Sequence, residues 1–199
     1  MKRFFLYAVA ITALCSSCET EDETFATETK NQPNALYHAK GIEVNDYQIY
    51  QSILNSFEYN NQQTHQENLL QFEQHVNRLM LQYMHQETDG YKKINTEQLL
   101  VLEQADAHFI EQLAYTKETK QAIYALVSNQ FNSETARLIT NQKERRLVET
   151  LVALHSNGNG DDNDDKLNGN RTIAFAYGAQ YSFTQAVLYA GAIELSAKQ

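Results

Sequence analysis

Two acidic side chains, Glu103 and Asp106, stand out because they interrupt an otherwise apolar surface of a predicted helix. The apolar residues that share the face of Asp106 at helical spacing are Leu99, Leu102, Phe109, Ile110 and Leu113. Glu103 lies three residues before Asp106, beside the same face. An ionised carboxylate among apolar side chains must be paired or neutralised. The spacing therefore predicts that Asp106 points into the protein interior and needs a partner there.

A cation, Lys143, interrupts the apolar face of a later predicted helix in the same way. That face consists of Ala136, Ile139, Leu147 and Leu154. A buried ion pair between Asp106 and Lys143 would satisfy both charges and fix how the two helices align. We therefore expect a structural ion pair between these two residues.

The alternative interpretation is a metal or acid–base site built on carboxylates. Metal sites in helical bundles take Glu and His ligands from facing helices, and Glu73 and His65 of a neighbouring predicted helix could join Glu103 and Asp106. However, the Glu-x-x-His pair typical of such sites occurs in none of the predicted helices. The sequence favours the ion pair, and an enzyme that uses Glu103, Asp106 and Glu73 in the bundle core is the alternative.

The sequence lacks the motifs of several other common chemistries. It contains no H-E-x-x-H, G-x-S-x-G, P-loop or G-x-G-x-x-G motif, so no catalytic residues are predicted on these grounds. Its 16 basic and 25 acidic residues give a net charge of −9. Because the phosphate backbone would be repelled, nucleic acid is not an expected partner.

An acidic loop is predicted at residues 156–170, which read SNGNGDDNDDKLNGN. Its carboxylates and amides supply the oxygen ligands that calcium prefers. An EF-hand would use Asp161, Asn163 and Asp165 at its first, third and fifth positions, but Lys166 stands where the loop requires glycine. A calcium site of another type on these three residues would make the protein a calcium-stabilised surface or adhesion module, which is a further alternative.

The elements that position these residues are predicted to be helices. A single proline and seven glycines leave few breaks for the turns that a β-sandwich needs. Apolar residues recur at helical spacing in segments 45–60, 65–86, 96–116, 119–130 and 133–154. An uncharged run at 172–193 predicts a sixth helix, buried on all sides. We therefore expect an all-α domain at 42–199, a bundle of about six helices with a buried C-terminal helix.

The first eighteen residues have the composition of an export signal. A basic start, MKR, precedes an uncharged run at 4–14 that is too short to span a bilayer. The sequence LCSSC at 14–18 resembles the lipobox of bacterial lipoproteins, in which a cysteine after small residues receives diacylglycerol. The resemblance implies that 1–17 are a lipoprotein signal peptide and that Cys18 is the lipidated first residue. The alternative, a C-x-x-C redox or metal motif, lacks a second ligand pair.

The resemblance also implies where the protein is located. The mature chain would be exported and attached to the outer membrane through its N-terminal lipid, with residues 18–41 as an acidic, flexible tether. The run ETEDE at 19–23 resembles the export signal of surface-exposed lipoproteins in some Gram-negative bacteria. Without Lys2 and Arg3, 14 basic and 25 acidic residues give a charge of −11. The expected function is non-catalytic binding of a protein or small-molecule partner, without a cofactor.

Overall fold

Helices make up the fold throughout the part of the chain that the computed structural model describes, which is residues 45–84, 90–156 and 164–198. The elements in chain order are α1 (Asp46–Asn55), α2 (His65–Met84), α3 (Thr96–Glu103), a 3₁₀ helix (Ala107–Gln112), α4 (Lys117–Val127), α5 (Ser133–Arg137), α6 (Gln142–Ser156), α7 (Asp164–Ala179) and α8 (Phe183–Ser196). No strand occurs within these ranges. The predicted all-α bundle is confirmed.

Short polar residues start several helices at the places where the sequence offers a cap. The Asn45 side chain accepts a hydrogen bond from the Gln48 N–H, and the Gln48 side chain returns one to the Asn45 N–H, which is a capping box. Asn95 accepts from the Gln98 N–H at 3.1 Å and begins α3. These bonds satisfy backbone donors that a helix start otherwise leaves unpaired.

Two predicted helices are each interrupted. The segment predicted at 96–116 stops at Glu103, and a 3₁₀ helix follows after a break. The segment predicted at 133–154 divides into α5 and α6, because Asn141 accepts from the Lys143 N–H at 2.9 Å and starts a new helix. The Arg145 guanidinium donates to the Ile139 carbonyl at 2.7 Å and satisfies an acceptor in the break. Polar side chains that bind nearby backbone groups therefore end these helices before the apolar periodicity of the sequence ends.

The C-terminal region also differs from its prediction, because it forms a helical hairpin rather than a loop and one helix. Helix α7 begins at Asp164, so the second half of the predicted 156–170 loop is helical. The uncharged run then turns at residues 180–182, where Ser182 accepts from the Gln185 N–H and caps α8. A Cβ atom at Gly178 would lie 2.4 Å from the Gln185 carbonyl oxygen, so glycine permits this tight turn.

Helix α8 lies at the centre of the bundle, as predicted for the C-terminal helix. Ten of its fourteen residues are buried. Its backbone approaches α2 closely, since a Cβ at Gly191 would lie 2.3 Å from the Phe72 ring. Among the described helices, none combines the length and the apolar character needed to cross a membrane.

Candidate functional site

Asp106 and Lys143 do not form the predicted buried ion pair, since both side chains are exposed. The Asp106 carboxylate accepts a hydrogen bond from the His108 N–H at 2.9 Å and caps the 3₁₀ helix. Lys143 lies in the first turn of α6. The prediction is wrong because it continued helical spacing across the break that precedes each residue.

The four residues considered for a metal or acid–base site are only partly brought together. Glu103 and His65 meet at Ser196, whose Oγ donates to Glu103 Oε1 at 2.6 Å and lies 3.4 Å from His65 Nε2. Glu73 is buried elsewhere on α2, about 12 Å along the helix from His65 at 1.5 Å per residue, and accepts from the Ile94 N–H at 2.6 Å. Asp106 is at the surface. Within the described ranges, no three His, Cys, Asp or Glu side chains could hold a metal ion together.

The Ser196 contact links helices and lacks the arrangement of a catalytic triad. The hydroxyl also donates to the Ala192 carbonyl of its own helix at 3.1 Å, and its contacts with His65 and Glu103 tie the end of α8 to α2 and α3. His65 Nδ1 is buried without a hydrogen-bond partner in the described part of the chain. A triad histidine needs a third group at that nitrogen to orient it.

The remaining predicted site residues lie mostly outside the described residues. The residues outside the described ranges are Cys18, Asp161 and Asn163. Asp165 is described, and it is exposed in the first turn of α7 rather than in a loop. The proposals for lipidation and for calcium therefore depend on the sequence.

A different ion pair, between the buried Arg171 and the partly buried Glu194, connects several helices of the bundle. Arg171 Nη1 lies 3.1 Å from Glu194 Oε2, and its Nη2 donates to the Leu154 carbonyl at 2.7 Å and to Asn168 at 3.0 Å. Tyr50 donates to the same Glu194 oxygen at 3.0 Å. The pair thus connects α1, α6, α7 and α8. Burial raises the pKa of Tyr50 well above its ordinary value, and the negative Glu194 adds to the shift.

The sequence contains a pattern that indicates this pair, although apolar periodicity alone does not reveal it. Arg171 and Glu194 are the charged residues on either side of the uncharged run 172–193. When such a run folds back as a hairpin, its two ends meet, and charges of opposite sign at those ends can pair.

Next to this network, a cleft of about 560 Å³ opens between α1, α6 and the α7–α8 hairpin. Its floor is aromatic, formed by Phe175 and Phe183. The Phe175 ring packs edge-to-face on Phe183 at 6.1 Å and on Tyr50 at 5.9 Å. Since Tyr50 is bonded to Glu194, the ion-pair network holds this floor in place.

The phenol of Tyr115 is fixed at the cleft wall. It donates to the Ala176 carbonyl at 2.7 Å. Burial raises its pKa far above the ordinary value, and the nearby Glu144 carboxylate adds to the increase. Tyr115 is therefore a neutral wall residue and not a general base at neutral pH.

Glu144 at the cleft rim joins α6 to the start of α4. Its Oε2 accepts from Thr116 Oγ1 and Thr119 Oγ1 at 2.5 Å each, and from the Thr116 N–H at 3.2 Å. Burial acts to raise the pKa of Glu144, but these bonds to the ionised form outweigh it and lower the pKa below the ordinary value. The carboxylate is therefore charged, and its Oε2 atom is engaged by three donors.

Cations also line the rim. Lys143 and Arg146 are exposed there, and the Arg146 guanidinium lies 4.0 Å from an Asp46 oxygen across from α6. An exposed pair at that distance is weak. A concave surface with an aromatic floor and a few polar groups at its edge is typical of a small-molecule site. Comparisons with known protein families, with curated proteins and with solved structures find no match.

Proposed function

We propose that the protein is an exported lipoprotein, anchored to the outer membrane through Cys18, whose helical domain binds a small ligand without catalysing a reaction. The lipobox-like sequence at 14–18 supports the anchor, and the acidic run at 19–23 supports exposure at the cell surface. The cleft between α1, α6 and the α7–α8 hairpin supports ligand binding.

The cleft carries the proposal because it combines an open volume with a rigid apolar floor. Its volume of about 560 Å³ lies within the range of roughly 300–1,000 Å³ that is common for ligand pockets. Phe175 is only 2% exposed and is held by aromatic contacts on two sides, so the floor is formed before any ligand arrives. A preformed floor lowers the cost of ordering on binding.

The polar groups of the cleft support binding rather than catalysis. Glu144 is engaged by three donors, and the Tyr115 phenol is neutral and bonded to a carbonyl. The Thr150 hydroxyl donates to the Arg146 carbonyl of its own helix at 2.9 Å. A nucleophile activated by a neighbouring base would need a hydrogen bond between the two, and these groups bond elsewhere.

The anchor is tested by labelling growing cells with a clickable palmitate analogue. We expect label on the native protein and on the Cys15→Ser variant, and no label on Cys18→Ser. Label that persists on Cys18→Ser, or disappears with Cys15→Ser alone, would contradict the proposed attachment.

The ligand site is tested by blocking the cleft with a large side chain. Ala114 is exposed and lines the cleft, so Ala114→Trp places an indole at its mouth with little demand on the core. Ala197→Trp, at the exposed end of α8, is the matched control. The probe is 2-naphthalenemethanol, and its binding is measured by equilibrium dialysis. We expect the native protein and the control to bind it and Ala114→Trp to bind at least tenfold more weakly, whereas equal binding by all three would overturn the assignment.

A further inference from the structure

We infer that the cleft selects an apolar molecule that carries a carboxylate, with its body on the aromatic floor and its anionic group at the α6 rim. This inference rests on the proposed ligand site and adds the chemical class of the ligand. It follows from which hydrogen-bonding groups around the cleft are already used within the protein and which are free.

Three acceptor atoms at the cleft are occupied, one each on Glu144, Gln180 and Asn141. Glu144 accepts from two threonine hydroxyls and one N–H. Gln180 Oε1 accepts from the Ala114 N–H at 2.7 Å, and Asn141 Oδ1 accepts from the Lys143 and Glu144 N–H groups at 2.9 and 3.3 Å. A ligand that needs to donate hydrogen bonds would find few acceptors in this region.

Fewer of the hydrogen-bond donors at the same rim are used within the protein. The Lys143 ammonium makes no hydrogen bond or ion pair to another described residue, although it lines the cleft. The Arg146 guanidinium has its one ion-pair contact, at 4.0 Å, with Asp46. Since a guanidinium carries five N–H donors, most of these stay available to a second acceptor. Lys143 and Arg146 lie three residues apart and therefore on neighbouring positions of the α6 surface.

The position of the cations matches the shape of the cleft. Leu147, the residue after Arg146, is only 9% exposed and lines the cleft beside the aromatic floor. Donors at the mouth and apolar side chains below fit a molecule with one anionic end. The Asp46 carboxylate lies across this rim, 4.0 Å from the Arg146 guanidinium. The two cations balance the charges of Asp46 and Glu144 at this rim, in a protein whose net charge is −9.

Two probes of matched shape test the inference. The first is 2-naphthoate and the second is 2-naphthalenemethanol, which has the same ring system without the charge. We expect the purified protein to bind the carboxylate about fivefold more tightly, as charge-assisted hydrogen bonds at a partly exposed site allow. Lys143→Gln and Arg146→Gln should each weaken 2-naphthoate binding about threefold and leave 2-naphthalenemethanol unchanged. Lys166→Gln, an exposed cation on α7 that does not line the cleft, is the control.

The outcomes separate this inference from the proposed ligand site. If both probes bind equally well, or if the Lys143 and Arg146 variants leave both affinities unchanged, the selectivity for carboxylates is overturned and the ligand site stands. If neither probe binds the native protein, the ligand site itself is overturned.

Discussion

The Arg171 guanidinium lies 3.1 Å from the Glu194 carboxylate, and these two residues bound the uncharged run 172–193. Arg171 is 7% exposed and forms further bonds to a carbonyl of α6 and to Asn168. The pair therefore links the middle of α7 to the last part of α8 and ties both to α6. Through Tyr50 it also fixes the aromatic floor of the cleft.

Breaking this pair is expected to destabilise the fold strongly. Glu194→Gln leaves the buried Arg171 charge facing a neutral amide, and we expect the free energy of unfolding to fall by about 2–3 kcal/mol. The double variant Arg171→Met, Glu194→Gln removes the unpaired charge, so its loss should be smaller than the sum of the two single losses. Urea unfolding of the four proteins measures this coupling. Additive losses would show that the two side chains do not interact.

The stability of the protein is expected to fall as the pH drops below neutrality, in part because of His155. Burial and the positive Arg171 lower the pKa of His155 from its ordinary value of 6.5. The unfolded chain therefore takes up a proton near pH 6.5 that the folded protein resists. The contribution of His155 to the free energy of unfolding is fully present above that pH. It is lost as the pH falls toward the pKa of His155 in the folded protein. His75 shifts in the same direction, through burial and Arg78.

Melting temperatures recorded between about pH 7 and pH 5 test this expectation. The decrease should be smaller in His155→Gln than in the native protein. His108→Gln is the control, because His108 is exposed on the 3₁₀ helix. A decrease of the same size in His155→Gln as in the native protein would contradict the role of His155.

Glu144 is expected to stabilise the contact between α4 and α6 only while it is ionised. We expect Glu144→Gln to lower the free energy of unfolding by about 1 kcal/mol at neutral pH, since the carboxylate is partly exposed. Because the folded pKa lies below 4.5, this stabilisation is present above pH 4.5 and is lost as the pH falls through the folded pKa. Denaturant titrations against pH test this, with the exposed Glu149→Gln as control. The expectation is contradicted if the difference in unfolding free energy between the native protein and Glu144→Gln does not become smaller in acid.

The close approach of α2 and α8 predicts a specific cost at Gly191. A methyl group there would lie 2.3 Å from the Phe72 ring, so Gly191→Ala should cost about 2 kcal/mol in spite of the better helix propensity of alanine. At Gly169 the nearest atom would be Val127 Cγ1 at 3.3 Å, at the end of a side chain. Gly169→Ala should therefore change stability by less than about 1 kcal/mol. Equal losses of stability in Gly191→Ala and Gly169→Ala, measured by thermal unfolding, would show that the contact with Phe72 does not add to the cost.

Apolar spacing predicted the helix class and most helix positions, but not where helices stop. Helix α2, predicted at 65–86, runs from His65 to Met84, because its apolar face is continuous and buried. The breaks near Asp106 and Asn141 escaped prediction. At both places a side chain accepts a hydrogen bond from a backbone N–H two residues later, and this bond competes with continuation of the helix. The apolar periodicity of the sequence contains no information on that competition.

The same limit explains where the structure places the predicted site residues. Asp106 and Lys143 were assigned to the core by extending a period through a break, so both ended at the surface. Glu103 and His65 do meet, but at Ser196, which lies far away in sequence. The cleft depends on how α1, α6 and the hairpin pack against one another, and no local pattern in the sequence records that packing.

The most direct test of the proposed ligand site is an NMR titration of the isotopically labelled protein with 2-naphthoate. A second groove, lined by the half-exposed Leu70 and Tyr91, provides an internal comparison. We predict saturable shifts of backbone amides around the cleft, centred on Leu147 and Phe183, with little change near Leu70. Shifts confined to the Leu70 groove, or no saturable shift at all, would contradict the cleft as the binding site.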